Sequence, residues 1–273
     1  MKQRKVFAIL LSFLMVLAFA ACTQAPAEEP EGGTDVAEVT PFEKHTIAYP
    51  EDLDIYASGA SSYDSYGDHF DSPYFKPLDV FNMTATDTLS VIPNFKTYQQ
   101  STEYSCGAAS ALMVLHHYGI TDYDEMTICQ LGSVSDETGV GVTGVSQFFE
   151  GIGWNVETNR DGTVALDPYL DLEDPNNFTT WVRTHLDEGT PIMIDWLDWA
   201  GHWQVIIAYD TMGTDDNFGD DVLIVADPYD TSDHYQDGYY TVPAERFFWM
   251  WREGVHEGAE PEYFPWVIAT PAE

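Results

Sequence analysis

Four side chains in this sequence have the types and placing that acyl chemistry requires: Gln100, Cys106, His202 and Asp227. Cys106 stands in the segment Gln100-Ser101-Thr102-Glu103-Tyr104-Ser105-Cys106-Gly107, just ahead of a run that reads as a helix. A cysteine in the first turn of a helix lies where unpaired N–H groups and the macrodipole favour negative charge, so the nucleophilic thiolate becomes available. Gly107, which has no Cβ, is expected to let a substrate backbone come close. Gln100 lies on the loop entering the helix, and its side-chain amide is expected to point at a developing oxyanion beside the Cys106 N–H. Taken alone, a cysteine at a helix start reads equally well as a buried small hydrophobe.

A thiolate nucleophile needs a base, and the chain has eight histidines. His116 and His117 fall on the same helix as Cys106, about 15 Å along it, beyond hydrogen-bond reach. They read as packing or helix-surface residues. His202 is placed better, because Gly201-His202 opens a strand-like run and Asp227-Pro228 closes the next one. The polar segment from Asp210 to Asp221 allows these two strands to form an antiparallel hairpin. If Ala208 faces Asp221, the register sets His202 opposite Asp227. A carboxylate there would hold one imidazole nitrogen and favour the imidazolium. Read singly, His202 is a strand-end histidine and Asp227 a turn residue before proline.

Several elements must position these groups. Ser105 to Tyr118 reads as a helix with Ala108, Leu112 and Leu115 on one face and Gly119 as terminator. Further helical stretches fall near 124–131, 142–151 and 177–188. The period then changes to strands at 192–197, 203–209 and 222–226, with a helix over 243–252 and a last strand over 266–270. Helices first and an antiparallel sheet afterwards predict an α+β fold. Residues 96–273 make one domain of ordinary size. Residues 41–95, rich in tyrosine, aspartate, serine and proline, read as an N-terminal extension that wraps the domain, with 88–92 as its best strand. There is no internal repeat.

Here the sequence resembles the C39-like peptidases. The resemblance is carried by Gln100…Cys106-Gly107-Ala108-Ala109, by Gly201-His202-Trp203-Gln204-Val205, by Asp227-Pro228, and by Val142-Thr143-Gly144-Val145 with Phe148 and Gly153-Trp154. It runs from about Phe95 to the C-terminus. It implies a papain-like α+β domain, with helices packed on an antiparallel sheet. It also implies Cys106 as nucleophile, His202 as base, Asp227 as the group that orients the base, and Gln100 in the oxyanion hole. The expected substrate is a peptide or protein, with no cofactor.

The ends and the composition bound the setting. Residues 1–21 have a short basic start and an apolar run broken only by Ser12, which reads as a secretory signal. Phe19-Ala20-Ala21-Cys22 resembles a bacterial lipoprotein box, so Cys22 is expected to carry lipid and hold the protein at the outer face of the cell membrane. Plain secretion with cleavage near Ala21 is the alternative. Residues 22–40 read as a flexible tether. The formal net charge of −36 leaves little to neutralise phosphates and excludes nucleic acid as an expected partner.

Of the three cysteines, Cys129 reads as a buried structural thiol beside Ile128 and Leu131; a disulfide to Cys106 would remove the nucleophile. No metal motif is present: His69, His116, His117, His185, His234 and His256 are scattered, and the acidic loop 215–221 misses EF-hand spacing and reads as a solvated turn. Two other functions use the same residues. One is a catalytically inactive papain-like surface binding module, and the other is an acyltransferase that passes the same thioester to an amine.

Overall fold

The sheet that carries His202 is assembled mostly from strands late in the chain. The computed structural model describes residues 40–66, 68–158, 174–198, 201–214, 217–252 and 264–272. Residues 1–21, expected to be a secretory signal, Cys22 and nearly all of the expected tether lie outside those residues, as do Asp215, Asp216 and His256. The strands are β1 (Leu89–Val91), β2 (Asn155–Thr158), β3 (Ile192–Trp196), β4 (His202–Asp210), β5 (Val222–Ala226), β6 (Tyr239–Pro243) and β7 (Trp266–Thr270). All pair antiparallel in the order β2-β7-β3-β4-β5-β6, and β1 pairs with β4. The helices are α1 (Cys106–His117), α2 (Glu125–Leu131), α3 (Val142–Gly151), α4 (Pro175–Asp187) and α5 (Ala244–Arg252). This is the α+β order expected, with three helices ahead of most of the sheet. Two strands escaped the sequence reading. β2 is short and half exposed, and β6 follows an Asp- and Ser-rich stretch that reads as loop.

Local chemistry explains the helix ends. Asp124 caps α2 by accepting from the Thr127 N–H at 2.7 Å. Asp174 caps α4 in the same way, with Pro175 in the first turn, where no N–H is needed. Gly119 ends α1 at φ +80°, and the Gly119 and Ile120 N–H groups return to the His116 and Leu115 carbonyls. One expectation changes: α1 has no solvent face over most of its length. Every residue from Cys106 to Leu115 is buried, because the helix packs on β4 with α2 and α3 against it. A helix apolar all round is a core helix. A second aromatic layer, Phe178 and Trp181 of α4 with Phe247 and Trp251 of α5, packs together with ring centroids about 6 Å apart.

The hairpin register differs from the one expected. Ala208 pairs with Ile224, not Asp221, and Asp210 pairs with Val222. A β-bulge then intervenes, leaving Ile207 as the extra residue between the pairs Ala208↔Ile224 and Ile206↔Val225. Beyond it, Val205 pairs with Ala226, so one more step sets Gln204 against Asp227. His202 is on the same face as Gln204 and sits diagonally across from Asp227, within reach of a side chain. Without the bulge Asp227 would lie opposite Val205, on the other face from His202, because one residue of slip inverts every side chain. On the far edge of β4, β3 pairs with residues 202–206 and β1 with residues 208–210; at the junction the Ile92 N–H donates to the Ile207 carbonyl at 2.9 Å.

Gly107 also plays a different part from the one expected. A Cβ built there would lie 2.3 Å from Val140 Cγ1 and 3.2 Å from Trp203 Cδ1. The glycine therefore serves the close packing of α1 on β4 and the Val140 segment. Trp203 is tied to that segment by its indole N–H, which donates to the Val140 carbonyl at 2.7 Å. We expect Gly107→Ala to lower stability by about 1–3 kcal/mol through overpacking. Val140→Ala in the same chain should recover part of that loss, measured as a double-mutant cycle by urea unfolding.

Candidate active site

Cys106 opens α1, so it stands at the helix end where the first N–H groups have no intrahelical partner. His202 opens β4 and Asp227 follows β5. The tertiary structure brings all three together. His202 Nε2 lies 2.7 Å from Asp227 Oδ1, with both side chains buried. The Cys106 sulfur stands beside the same imidazole, near enough to act on its charge, and Cys106 keeps 9% of its surface exposed. Burial alone would hold His202 neutral, but the charge and hydrogen bond of Asp227, together with the Cys106 sulfur, outweigh it and raise His202 well above the usual histidine range. The imidazole is thus paired on both sides in a dry environment.

Asp227 is itself held. Its Oδ1 also accepts from the Tyr229 N–H at 2.8 Å, and its carbonyl accepts from Gln99 Nε2 at 2.8 Å. Gln99 Oε1 takes the Asp230 N–H at 3.0 Å, and the Gln100 N–H donates to the Pro228 carbonyl at 2.8 Å. The loop that enters α1 and the loop that leaves β5 are therefore stitched together by the Gln99 side chain and one backbone bond. Sequence reasoning missed Gln99, whose only signal was its place beside Gln100.

Gln100 is buried at the start of this loop. Its side-chain Nε2 donates to the Thr102 carbonyl at 2.7 Å, and its Oε1 is buried without a partner. One amide hydrogen is thus bound within the loop, and the second remains for another acceptor. The N-terminal extension closes over the outside of the loop. The Ser61 N–H donates to the Gln100 carbonyl at 3.0 Å, and the Gly59 N–H to Glu103 Oε1 at 3.0 Å. Gly59, at φ +69°, approaches so closely that a Cβ would lie 2.5 Å from the Thr102 nitrogen.

The other histidines lie elsewhere. His117 Nε2 meets the Gly189 carbonyl at 2.8 Å, and burial lowers both His116 and His117. Cys129 is free and buried, its thiol pushed up to about 12 by burial and by the neighbouring Glu125. Cys106 is also free. Among the described residues no group of three or more His, Cys, Asp or Glu side chains could hold a metal ion. Asp221, expected in a solvated turn, is buried and accepts from the Tyr209 hydroxyl.

A ring of carboxylates follows Asp227. Burial, with the charges of Asp227, Asp233 and Asp237, raises Asp230 well above its ordinary range. Asp237 is raised from 3.8 to about 8, chiefly by burial and despite the Tyr239 N–H. Between those two values the folded chain keeps a proton that the unfolded chain has released, so stability falls as pH rises through that window. This group contributes at most ~1.4 kcal/mol per pH unit. His202 acts in the same direction at higher pH: its contribution is complete below ~6.5 and is lost as pH rises through its elevated value. We expect Asp237→Asn to flatten the fall in urea midpoint between pH 4 and pH 8 while leaving the later, His202-dependent fall in place.

Residues 92–257 match the sequence model described as the Peptidase_C39 like family. The fold is similar to the peptidase domain of Streptococcus ComA, a bi-functional ABC transporter involved in a quorum sensing pathway. That match has 16% identity and a TM-score of 0.40 over 65% of this chain and 99% of that one. It is also similar to a double glycine motif protease from an AMS/PCAT transporter in complex with the leader peptide. There the identity is 17% and the TM-score 0.41, over 69% of this chain and 97% of that one. No curated protein matches the chain.

Proposed function

Since this chain belongs to the Peptidase_C39 like family, we propose that it is a cysteine hydrolase that cleaves peptide or amide bonds through Cys106, His202 and Asp227. The observation that carries this reading is the buried imidazole of His202, bonded at 2.7 Å to Asp227 and with the Cys106 sulfur beside it. The Cys106 proton rests on His202, and the thiolate of that ion pair attacks the scissile carbonyl. The first-turn N–H of Cys106 and the amide of Gln100 donate to the oxyanion, each such donor contributing roughly 3–4 kcal/mol to the transition state. His202 then protonates the leaving amine, and water clears the thioester. A binding module without turnover would have no use for an imidazole buried between a cysteine sulfur and a carboxylate.

The test is alkylation of the chain from residue 41 onward with iodoacetamide, followed by mass spectrometry. Cys106 should label at neutral pH at least tenfold faster than Cys129, which burial protects, with an enhancement that disappears in His202→Ala. Asp227→Asn should slow labelling strongly, because an unpartnered buried imidazolium is disfavoured by about 3–5 kcal/mol. Cys106→Ser should abolish hydrolysis of a peptide library while remaining folded. Slow labelling of Cys106, or turnover retained in a folded Cys106→Ser chain, would overturn the reading.

We further propose that the protein is exported and held by lipid on Cys22, with the peptidase domain outside the cell. The Phe19-Ala20-Ala21-Cys22 segment supports this. Metabolic labelling with a clickable fatty acid should mark the wild-type chain and not Cys22→Ala; equal labelling of both would overturn it.

A further inference from the structure

Glu125 opens α2 and would ordinarily face water as a first-turn acid, yet it is 1% exposed. Four neutral groups donate to its carboxylate. The Ser101 N–H lies 2.9 Å from Oε1, the Ser101 hydroxyl 2.6 Å and the Tyr98 hydroxyl 3.0 Å from Oε2, and the Ser105 hydroxyl donates to Oε1. Three of these donors belong to the loop that runs from Gln100 into Cys106. Proposed catalysis gives this buried carboxylate no part. A buried carboxylate persists only where its partners repay its desolvation.

The Ser105 bond has a specific consequence. Ser105 is the N-cap residue of α1, where a serine side chain usually accepts from a first-turn N–H. Here its side chain makes no cap bond. The single hydroxyl proton goes to Glu125, and the oxygen accepts from Thr102 Oγ1 at 2.6 Å. The Gly107 and Ala108 N–H groups, which such a cap would take, consequently have no bond from Ser105. The same carboxylate fixes the Ser101 backbone, one residue from Gln100.

We propose that Glu125 is a positioning residue for oxyanion stabilisation. It pins the Gln100–Ser105 loop at Ser101 and at Ser105, so that the donors of Cys106 and Gln100 face the reacting carbonyl. The inference rests on the cysteine hydrolase reading of the site. Two reagents separate the effect from a general loss of structure. With p-nitrophenyl acetate the thiolate attacks the acetyl carbonyl, an S–C bond forms, and p-nitrophenolate leaves through an oxyanion. With iodoacetamide the thiolate displaces iodide and no oxyanion forms.

In Glu125→Gln, acylation by p-nitrophenyl acetate should fall by about tenfold or more, a part of what one whole donor contributes, while alkylation stays within about twofold of wild type. Ser101→Ala, which removes one hydroxyl and keeps the carboxylate, should show the same selective loss to a smaller degree and serves if Glu125→Gln does not fold. Parallel loss of both reactions, or no loss of acylation, in the folded variants would overturn the inference. Slow reaction of wild-type Cys106 with both reagents would instead overturn the hydrolase reading beneath it.

Discussion

The arrangement depends on one buried contact, the 2.7 Å bond between the His202 imidazole and the Asp227 carboxylate. Two groups this polar stay out of water only when each satisfies the other and further donors satisfy the rest. Asp227 meets that condition through the Tyr229 N–H, and its backbone through Gln99. The Cys106 sulfur stands beside the imidazole. Had Asp227 been displaced, the His202 imidazole would be buried without its carboxylate, so the site and the local fold stand together.

That contact is in turn set by the bulge in β4. Strand pairing alone would send His202 and Asp227 to opposite faces of the sheet, and one extra residue, Ile207, reverses the parity. β3 pairs with β4 before the bulge and β1 after it, so the junction falls on Ile207, whose carbonyl accepts the Ile92 N–H. The extension thus contributes a strand that bears on the register of the site. It does so again near Gly59, which packs on the loop before Cys106. Residues 41–95 are part of the scaffold of the described molecule, in one compact unit with the domain that follows.

Electrostatics divide the neighbourhood of the site. On one side the imidazole is held charged by a carboxylate. On the other side, a few residues along the same loop, Asp230 and Asp237 are pressed by burial toward their neutral forms. Glu125 adds a third carboxylate, beneath the loop entering α1, and receives only neutral donors. The strongly acidic composition is therefore not only a solvated surface; some of its carboxylates organise backbone turns from within.

The sequence by itself determined the order of most elements and singled out the residues of the candidate site. The helix at Cys106 was legible from its 3.6-residue apolar spacing and terminal glycine, and the strands at 222–226 and 266–270 from continuous apolar runs, because these signals are local. Cys106, His202 and Asp227 were legible because each stood at the end of such an element. Only the tertiary structure decided how they meet. An extra residue in a strand leaves no mark on an apolar run, so the expected pairing of Ala208 with Asp221 gave way to Ala208 with Ile224. Gly107 looked like room for a substrate and proved to be room for Val140, and Asp221, expected in a solvated turn, proved to be buried. Burial and close approach depend on segments distant in the chain, and no local pattern of residues encodes which of them will arrive.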